Sequence, residues 1–118
     1  LLFKKFSDSL GMPDYKLTYF DARGRAEFIR QLFKLADVLF VDNRITIKEW
    51  PGLKSNTPFG KVPVLEVDGE QLPQTIAIAR FVGRQFGFAG KTPFEEAWVD
   101  ALAYQAKEYF EELDPLVV

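Results

Sequence analysis

The chain predicts an α/β fold, a four-stranded mixed sheet with helices on both faces, followed by one further helix. Three observations carry that expectation. Residues 15–20 alternate and are rich in aromatic and β-branched types, residues 25–36 repeat apolar positions at helical spacing, and residues 39–44 form a second strand pattern. Strand, helix and strand at that spacing require a parallel pair with a right-handed crossover. Asp68 and Gly69 then sit between two strand patterns, 62–67 and 70–72, and an Asp-Gly pair there marks an antiparallel hairpin. Finally, residues 74–86 carry apolar residues on two sides of a helix, so that helix needs two packing partners.

Taken in order, the elements rest on local chemistry. Leu2, Phe3, Phe6 and Leu10 fall near one helical face beside Lys4 and Lys5. Residues 1–11 therefore read as an extension ahead of Met12, as a helix packed on the domain, or as a membrane-surface anchor, in that order of preference. Tyr15, Leu17 and Tyr19 alternate with Lys16, Thr18 and Phe20 in the first strand, and residues 21–24 form a loop. Ile29, Leu32, Phe33 and Ala36 give the first helix its apolar face, with Arg25, Glu27 and Arg30 near its start. Residues 47–55 predict a short or irregular helix interrupted by Trp50-Pro51-Gly52. A linker, 88–92, precedes Pro93, which suits the first position of a helix. That helix carries the stripe Phe94, Trp98, Leu102, Tyr109 and Leu113, read as packing surface, and stops at Asp114-Pro115. The apolar end, 116–118, gives the chain the look of a truncated one.

Composition narrows the chemistry. The 118 residues are 47% hydrophobic and 15% aromatic, enough apolar material for one compact domain. With 15 basic against 17 acidic residues and no basic run, nucleic-acid binding is not expected. No apolar run approaches the roughly 20 residues that span a bilayer, so no membrane partner is expected. The chain has no cysteine and no histidine. That removes disulfides, thiol nucleophiles, the usual zinc sites and His-based triads, and it is compatible with a cytoplasmic location. No metal is expected. Tyr, Asp, Glu, Lys and Arg remain as acids, bases and donors.

The order βαβαββα is the thioredoxin-like arrangement. Within it the most informative stretch runs from Pro58-Phe59-Gly60-Lys61-Val62-Pro63 through Gln74-Thr75-Ile76 to Arg80. It ends in a helix whose start is small and polar. Free backbone N–H groups and the positive dipole end make such a start a site for a carboxylate.

Five motifs in this order resemble the cytosolic glutathione transferases. They are Tyr15-Lys16-Leu17-Thr18-Tyr19-Phe20, Arg23-Gly24-Arg25-Ala26-Glu27, Pro58-Phe59-Gly60-Lys61-Val62-Pro63, Leu65-Glu66-Val67-Asp68-Gly69 and Gln74-Thr75-Ile76-Ala77-Ile78-Ala79-Arg80. The likeness is greatest to the sigma class, including nematode forms and glutathione-dependent prostaglandin D synthases. It implies a thioredoxin-like glutathione-binding domain over 12–87 and the start of an all-helical domain over 93–118. It also implies a detoxifying transferase that takes reduced glutathione as co-substrate, with no permanently bound cofactor, conjugates it to a hydrophobic electrophile, and works as a homodimer.

The resemblance assigns roles residue by residue. Tyr19 matches the tyrosine whose hydroxyl donates to the glutathione sulfur, which favours the thiolate. Gln74 and Thr75 match the γ-glutamyl site, Val62 the backbone that pairs with the cysteinyl part, and Pro63 the cis-proline of that turn. Arg25, Trp50, Lys54 and Lys61 match positions lining the glutathione site, with Lys54 toward the glycyl carboxylate. Glu108 falls where relatives place an aspartate that reaches the partner subunit's glutathione. Thr75 stands where the family usually has serine, Tyr104 replaces an acid, and Phe28 stands where many relatives have proline.

Each of these residues also has a plain structural reading. Tyr19 is then a half-buried strand tyrosine, Trp50 a plug over the sheet, Lys54 a solvated lysine, Thr75 an N-cap and Pro63 a strand-entry proline. Two further functional readings stand beside the enzyme. One is a non-catalytic, crystallin-like module; the other is an isolated glutathione-binding domain without a complete second-substrate site.

Overall fold

The computed structural model describes residues 11–113. The expectations for residues 1–10, for the stop at Asp114-Pro115 and for the apolar end lie outside the described residues. Strand β1 (Tyr15–Phe20) buries Tyr15, Leu17 and Tyr19 on one face, while Lys16, Thr18 and Phe20 turn to the other. A 3-10 turn (Gly24–Ala26) leads into helix α1 (Glu27–Leu35), and β2 (Val41–Ile45) then pairs in parallel with β1. A short helix α2 (Trp50–Leu53) runs into a second 3-10 turn (Lys54–Asn56). Strands β3 (Val64–Val67) and β4 (Glu70–Pro73) precede helices α3 (Thr75–Gln85) and α4 (Pro93–Leu113). The strand order is β2-β1-β3-β4, with β3 antiparallel to both of its neighbours. This is the expected four-stranded mixed sheet.

The hairpin turn is as its residues require. Asp68 and Gly69 have φ of 50° and 86°, and two successive left-handed residues match the twist of the flanking strands. Asp68 also ties this turn to the start of β1. Its carboxylate accepts the Asp14 N–H at 2.8 Å, and its own N–H donates to the Asp14 carbonyl at 2.9 Å. Strand β3 starts two residues later than the alternation predicts, because Pro63 has no N–H to offer a ladder.

Helices α1 and α3 cover one face. Ile29, Leu32 and Phe33 of α1 and Ile78, Ala79 and Val82 of α3 close over Leu17 and Leu65, which are opposite each other in the β1–β3 register. Phe33 stacks on Phe40 with ring centroids 4.5 Å apart and meets Tyr15 at 5.3 Å. On the opposite face α2 sets Trp50 edge-on against Phe20 at 5.9 Å. None of the described helices is long and apolar enough to cross a membrane.

Helix α4 turns the stripe read as packing surface away from the sheet domain. Phe94, Trp98, Leu102 and Tyr109 are all more than half exposed, while Ala103 is buried and Val99, Ala106 and Phe110 are half-buried on the inner side. The reason is steric and electrostatic together. The small Ala103 lets α4 approach closely, and the Arg80–Asp100 (3.1 Å) and Arg25–Glu111 (2.8 Å) ion pairs fix which side faces the sheet domain.

One charged residue lies inside the fold. Arg30, which the sequence pattern places merely among the polar residues of α1, is 1% exposed. Its Nη2 donates to the Phe20 carbonyl at 3.1 Å, its Nη1 to the Ala22 carbonyl, and its Nε to Asp42 Oδ1 at 3.1 Å. A second carboxylate, Glu27, lies 3.4 Å from Nη1. Burying a cation is costly unless it is paired, and here two carboxylates and two carbonyls pair it. We expect Arg30→Met, which keeps the side chain's bulk, to lower urea-unfolding stability by about 3 kcal/mol, since it strands the carbonyls and carboxylates. A loss under about 1 kcal/mol would show that the pairing only balances the burial.

Candidate functional site

The site begins at the end of β1. Tyr19 is 1% exposed, and its Oη accepts the backbone N–H of Arg25 at 3.1 Å. A phenol oxygen that accepts in this way keeps its O–H as a donor. The approach is possible because residue 24 is glycine. Gly24 has φ of +40°, and a methyl group there would overlap the Tyr19 hydroxyl and lie 3.0 Å from ring carbon Cε2. The tyrosine and the turn that follows it are therefore fitted to each other.

Beside this turn runs a groove with two connected parts that share Arg25, Lys61 and Val62. One part, about 180 Å³, is closed by Pro63, Gln74, Thr75 and Lys107; the other, about 340 Å³, is closed by Phe20, Trp50 and Lys54. Eight of the ten residues assigned from the sequence thus line one continuous surface: Arg25, Trp50, Lys54, Lys61, Val62, Pro63, Gln74 and Thr75. Tyr19 does not line it and meets it through the bond from the Arg25 N–H, and Glu108 is exposed on α4 without lining it. The Val62–Pro63 peptide bond is cis, as the resemblance implies.

The groove is built to hold negative charge. Arg25, Lys54, Lys61 and Lys107 line it, and no Asp or Glu does among the described residues. The N-terminus of α3 opens into the same part as Lys107. Gln74, not Thr75, is the N-cap, with φ of 77° and no side-chain capping bond, and Thr75 is the buried first helical residue. The plain reading of Thr75 as N-cap is corrected accordingly. The first helical bond runs from the Ile78 N–H to the Gln74 carbonyl at 3.0 Å, so the N–H groups before it point toward the groove end as donors. A glutamine held in the left-handed region is strained, and such strain concentrates at ligand clamps. No group of three or more carboxylates or other ligating side chains forms a metal site among the described residues.

Behind the groove, Glu111 of α4 is shared by two of its cations. Arg25 Nε lies 2.8 Å and Lys107 Nζ 3.1 Å from the same oxygen, Oε1. Burial pushes the Glu111 carboxyl up, but the Lys107 hydrogen bond and the charges of Arg25 and Lys107 outweigh it, and the group titrates below the ordinary carboxylate range. Neither Lys107 nor Glu111 was singled out by sequence. Their i, i+4 spacing was a legible signal of an ion pair, but the direction in which α4 presents them was not.

Two expectations follow from this geometry. Gly24→Ala should shift the Tyr19 ring resonances in NMR and cost about 1–3 kcal/mol on unfolding; unmoved resonances would mean that the loop absorbs the methyl group. Because the Glu111 carboxyl is depressed on folding, its contribution is fully present above the unfolded value of about 4.3 and is lost as pH falls through the folded value. Wild type should exceed Glu111→Gln by about 1 kcal/mol at pH 7, with the gap closing in acid as the pH falls through the folded value. A gap that is the same at neutral pH and in acid would show that the ion pair is not its source.

Known proteins resemble this chain in sequence and fold. The family model described as "Glutathione S-transferase, N-terminal domain" matches residues 15–84. "Glutathione S-transferase 1" of Ascaris suum is 58% identical over 104 residues, covering 88% of this chain and 50% of the relative. "Hematopoietic prostaglandin D synthase" of Gallus gallus is 53% identical over 91 residues, covering 77% of this chain and 46% of the relative. Among solved structures, a Nu-class GST from Haemonchus contortus is 55% identical with a TM-score of 0.78, covering 88% of this chain and 51% of that one. The chain spans about half the length of the curated relatives it matches. With the matched segment spanning β1 to α3 and holding every lining residue of the groove named above but Lys107, the chain belongs to the glutathione S-transferase family.

Proposed function

We propose that the groove binds reduced glutathione and that the whole protein conjugates it to hydrophobic electrophiles, with Tyr19 donating a hydrogen bond to the thiolate. One observation carries this reading: residues from the turn after β1, from α2 and its 3-10 turn, from the segment before β3 and from the start of α3 converge on one cationic groove, and one of its lining residues, Arg25, donates its backbone N–H to the Tyr19 hydroxyl oxygen. Glutathione presents two carboxylates and a thiol to such a surface. Its γ-glutamyl end meets Gln74 and Thr75, its cysteinyl backbone runs along Val62 and Pro63, and its glycyl carboxylate meets Lys54 beside Trp50, with Arg25 and Lys61 adding charge along the middle. The substrate supplies the sulfur that this chain lacks.

The chemistry is transfer of a nucleophile. A hydrogen bond to the thiolate lowers the thiol's pKa, about 1.4 kcal/mol for each unit, so more of it is ionised at neutral pH. The ionised sulfur attacks an electrophilic carbon and the leaving group departs with the electron pair. In this reading residues 12–87 are the glutathione-binding domain, 88–92 a linker, and α4 the first helix of an all-helical domain. The nematode and prostaglandin-synthase relatives are of the kinds that the sigma-class likeness names, and a detoxifying enzyme of the cytoplasm is the reading that goes with that likeness. The exposed apolar stripe of α4 supports a homodimer with α3 and α4 near the interface and Glu108 reaching the partner's glutathione. A second reading, glutathione binding without a complete electrophile pocket, is favoured by the same uncovered stripe.

Tyr19→Phe tests the central role. Turnover on the whole protein should fall at least about tenfold, and thiolate absorbance of bound glutathione should titrate at higher pH, with glutathione affinity little changed. Unchanged ionisation and turnover would overturn the assignment.

A further inference from the structure

Lys107 lines the groove in the part that also holds Gln74 and Thr75, whereas Lys54 lines the other part beside Trp50. The two lysines thus serve opposite ends. A lysine ammonium has three N–H donors. Glu111 takes one of them at 3.1 Å, and the same carboxylate oxygen is held at 2.8 Å by Arg25, so the acid is anchored from the far side. That bond restrains the lysine stem, whose loss of rotamer freedom on binding is correspondingly smaller. Lys107 and the α3 N-terminus line the same cavity of about 180 Å³, and no Asp or Glu lines it among the described residues.

We propose that Lys107 is a glutathione-binding residue of its own chain, donating to the α-carboxylate of the γ-glutamyl moiety, with Glu111 as the positioning residue that holds its ammonium. The proposal rests on the reading of the groove as a glutathione site. It adds a charged contact from α4 to a ligand otherwise held by the sheet domain. Binding at the γ-glutamyl end is therefore coupled to the docking of α4, because the Arg25–Glu111 pair is both part of that docking and the anchor for Lys107.

The test compares two ligands by isothermal titration on the full chain. One is glutathione; the other is 4-aminobutanoyl-cysteinyl-glycine, which lacks only the carboxylate in question. Lys107→Gln should weaken glutathione about tenfold, the equivalent of one charge-assisted hydrogen bond, while leaving the analogue within about twofold, and Lys107→Arg should retain most of the glutathione affinity. Lys107→Met, which keeps the packing of the stem, provides the same comparison if the glutamine variant folds poorly. Glutathione affinity unchanged in the neutral variants overturns the proposal and leaves the groove's assignment standing. So does equal weakening of both ligands, which would mean only a general electrostatic attraction. If wild type binds neither ligand, the glutathione reading itself fails, and the proposal with it.

Discussion

The buried guanidinium of Arg30 is the constraint on which the rest of the site depends. It holds the carbonyls of Phe20 and Ala22, where β1 ends and the loop begins, and it binds Asp42 in the neighbouring strand. Its charge also lies 5.7 Å from the centroid of the Tyr19 ring, within the range of a cation–π attraction. A single side chain of α1 thereby fixes how the first strand leaves the sheet, how the second strand aligns with it, and where the tyrosine ring rests. A loop tied in this way starts its helix at one place, which is what brings the Arg25 N–H over the Tyr19 oxygen.

From that point the contacts lead outward to α4. Gly24 allows the turn to lie against the tyrosine, Arg25 caps the tyrosine oxygen with its backbone and reaches Glu111 with its side chain, and Glu111 holds Lys107. Few apolar contacts add to this: the side of α4 facing the sheet domain buries Ala103 and half-buries Val99, Ala106 and Phe110, while Phe94, Trp98, Leu102 and Tyr109 point away. The docking of α4 on this chain is accordingly more electrostatic than hydrophobic. Partly exposed ion pairs are individually worth little, so the helix is held by geometry at the site as much as by burial. This couples the occupancy of the groove to the placement of the helix.

Much of the fold was legible because its signals are local. The strand alternation at Tyr15–Phe20, the apolar spacing of α1 and the Asp68-Gly69 turn each depend on residues a few positions apart. Most of the candidate site was legible for a different reason, namely that its residues lie in motifs close in sequence. What was not legible concerns direction and depth. Arg30 reads only as a polar residue near the start of its helix, because nothing local indicates that two carbonyls and two carboxylates will surround it. The stripe of Phe94, Trp98, Leu102 and Tyr109 reads as a packing surface, but hydrophobic spacing identifies a face without saying what covers it, and here it is not the sheet domain. Thr75 reads as a cap because its hydroxyl suits one, whereas the strained backbone of Gln74 takes that position.

By itself, the sequence determined the order of strands and helices, the parallel and antiparallel pairings they allow, the absence of any thiol or imidazole chemistry of its own, and the family motifs around a helix start fit for a carboxylate. Those follow from backbone sterics, short-range periodicity and composition. The tertiary structure alone decided which side of α4 faces the domain, that Arg30 is interior, and that Lys107 and Glu111 join Arg25 at the groove. The physical reason is that each of these depends on charges and shapes brought together from segments up to 86 residues apart, and no local preference encodes such a meeting.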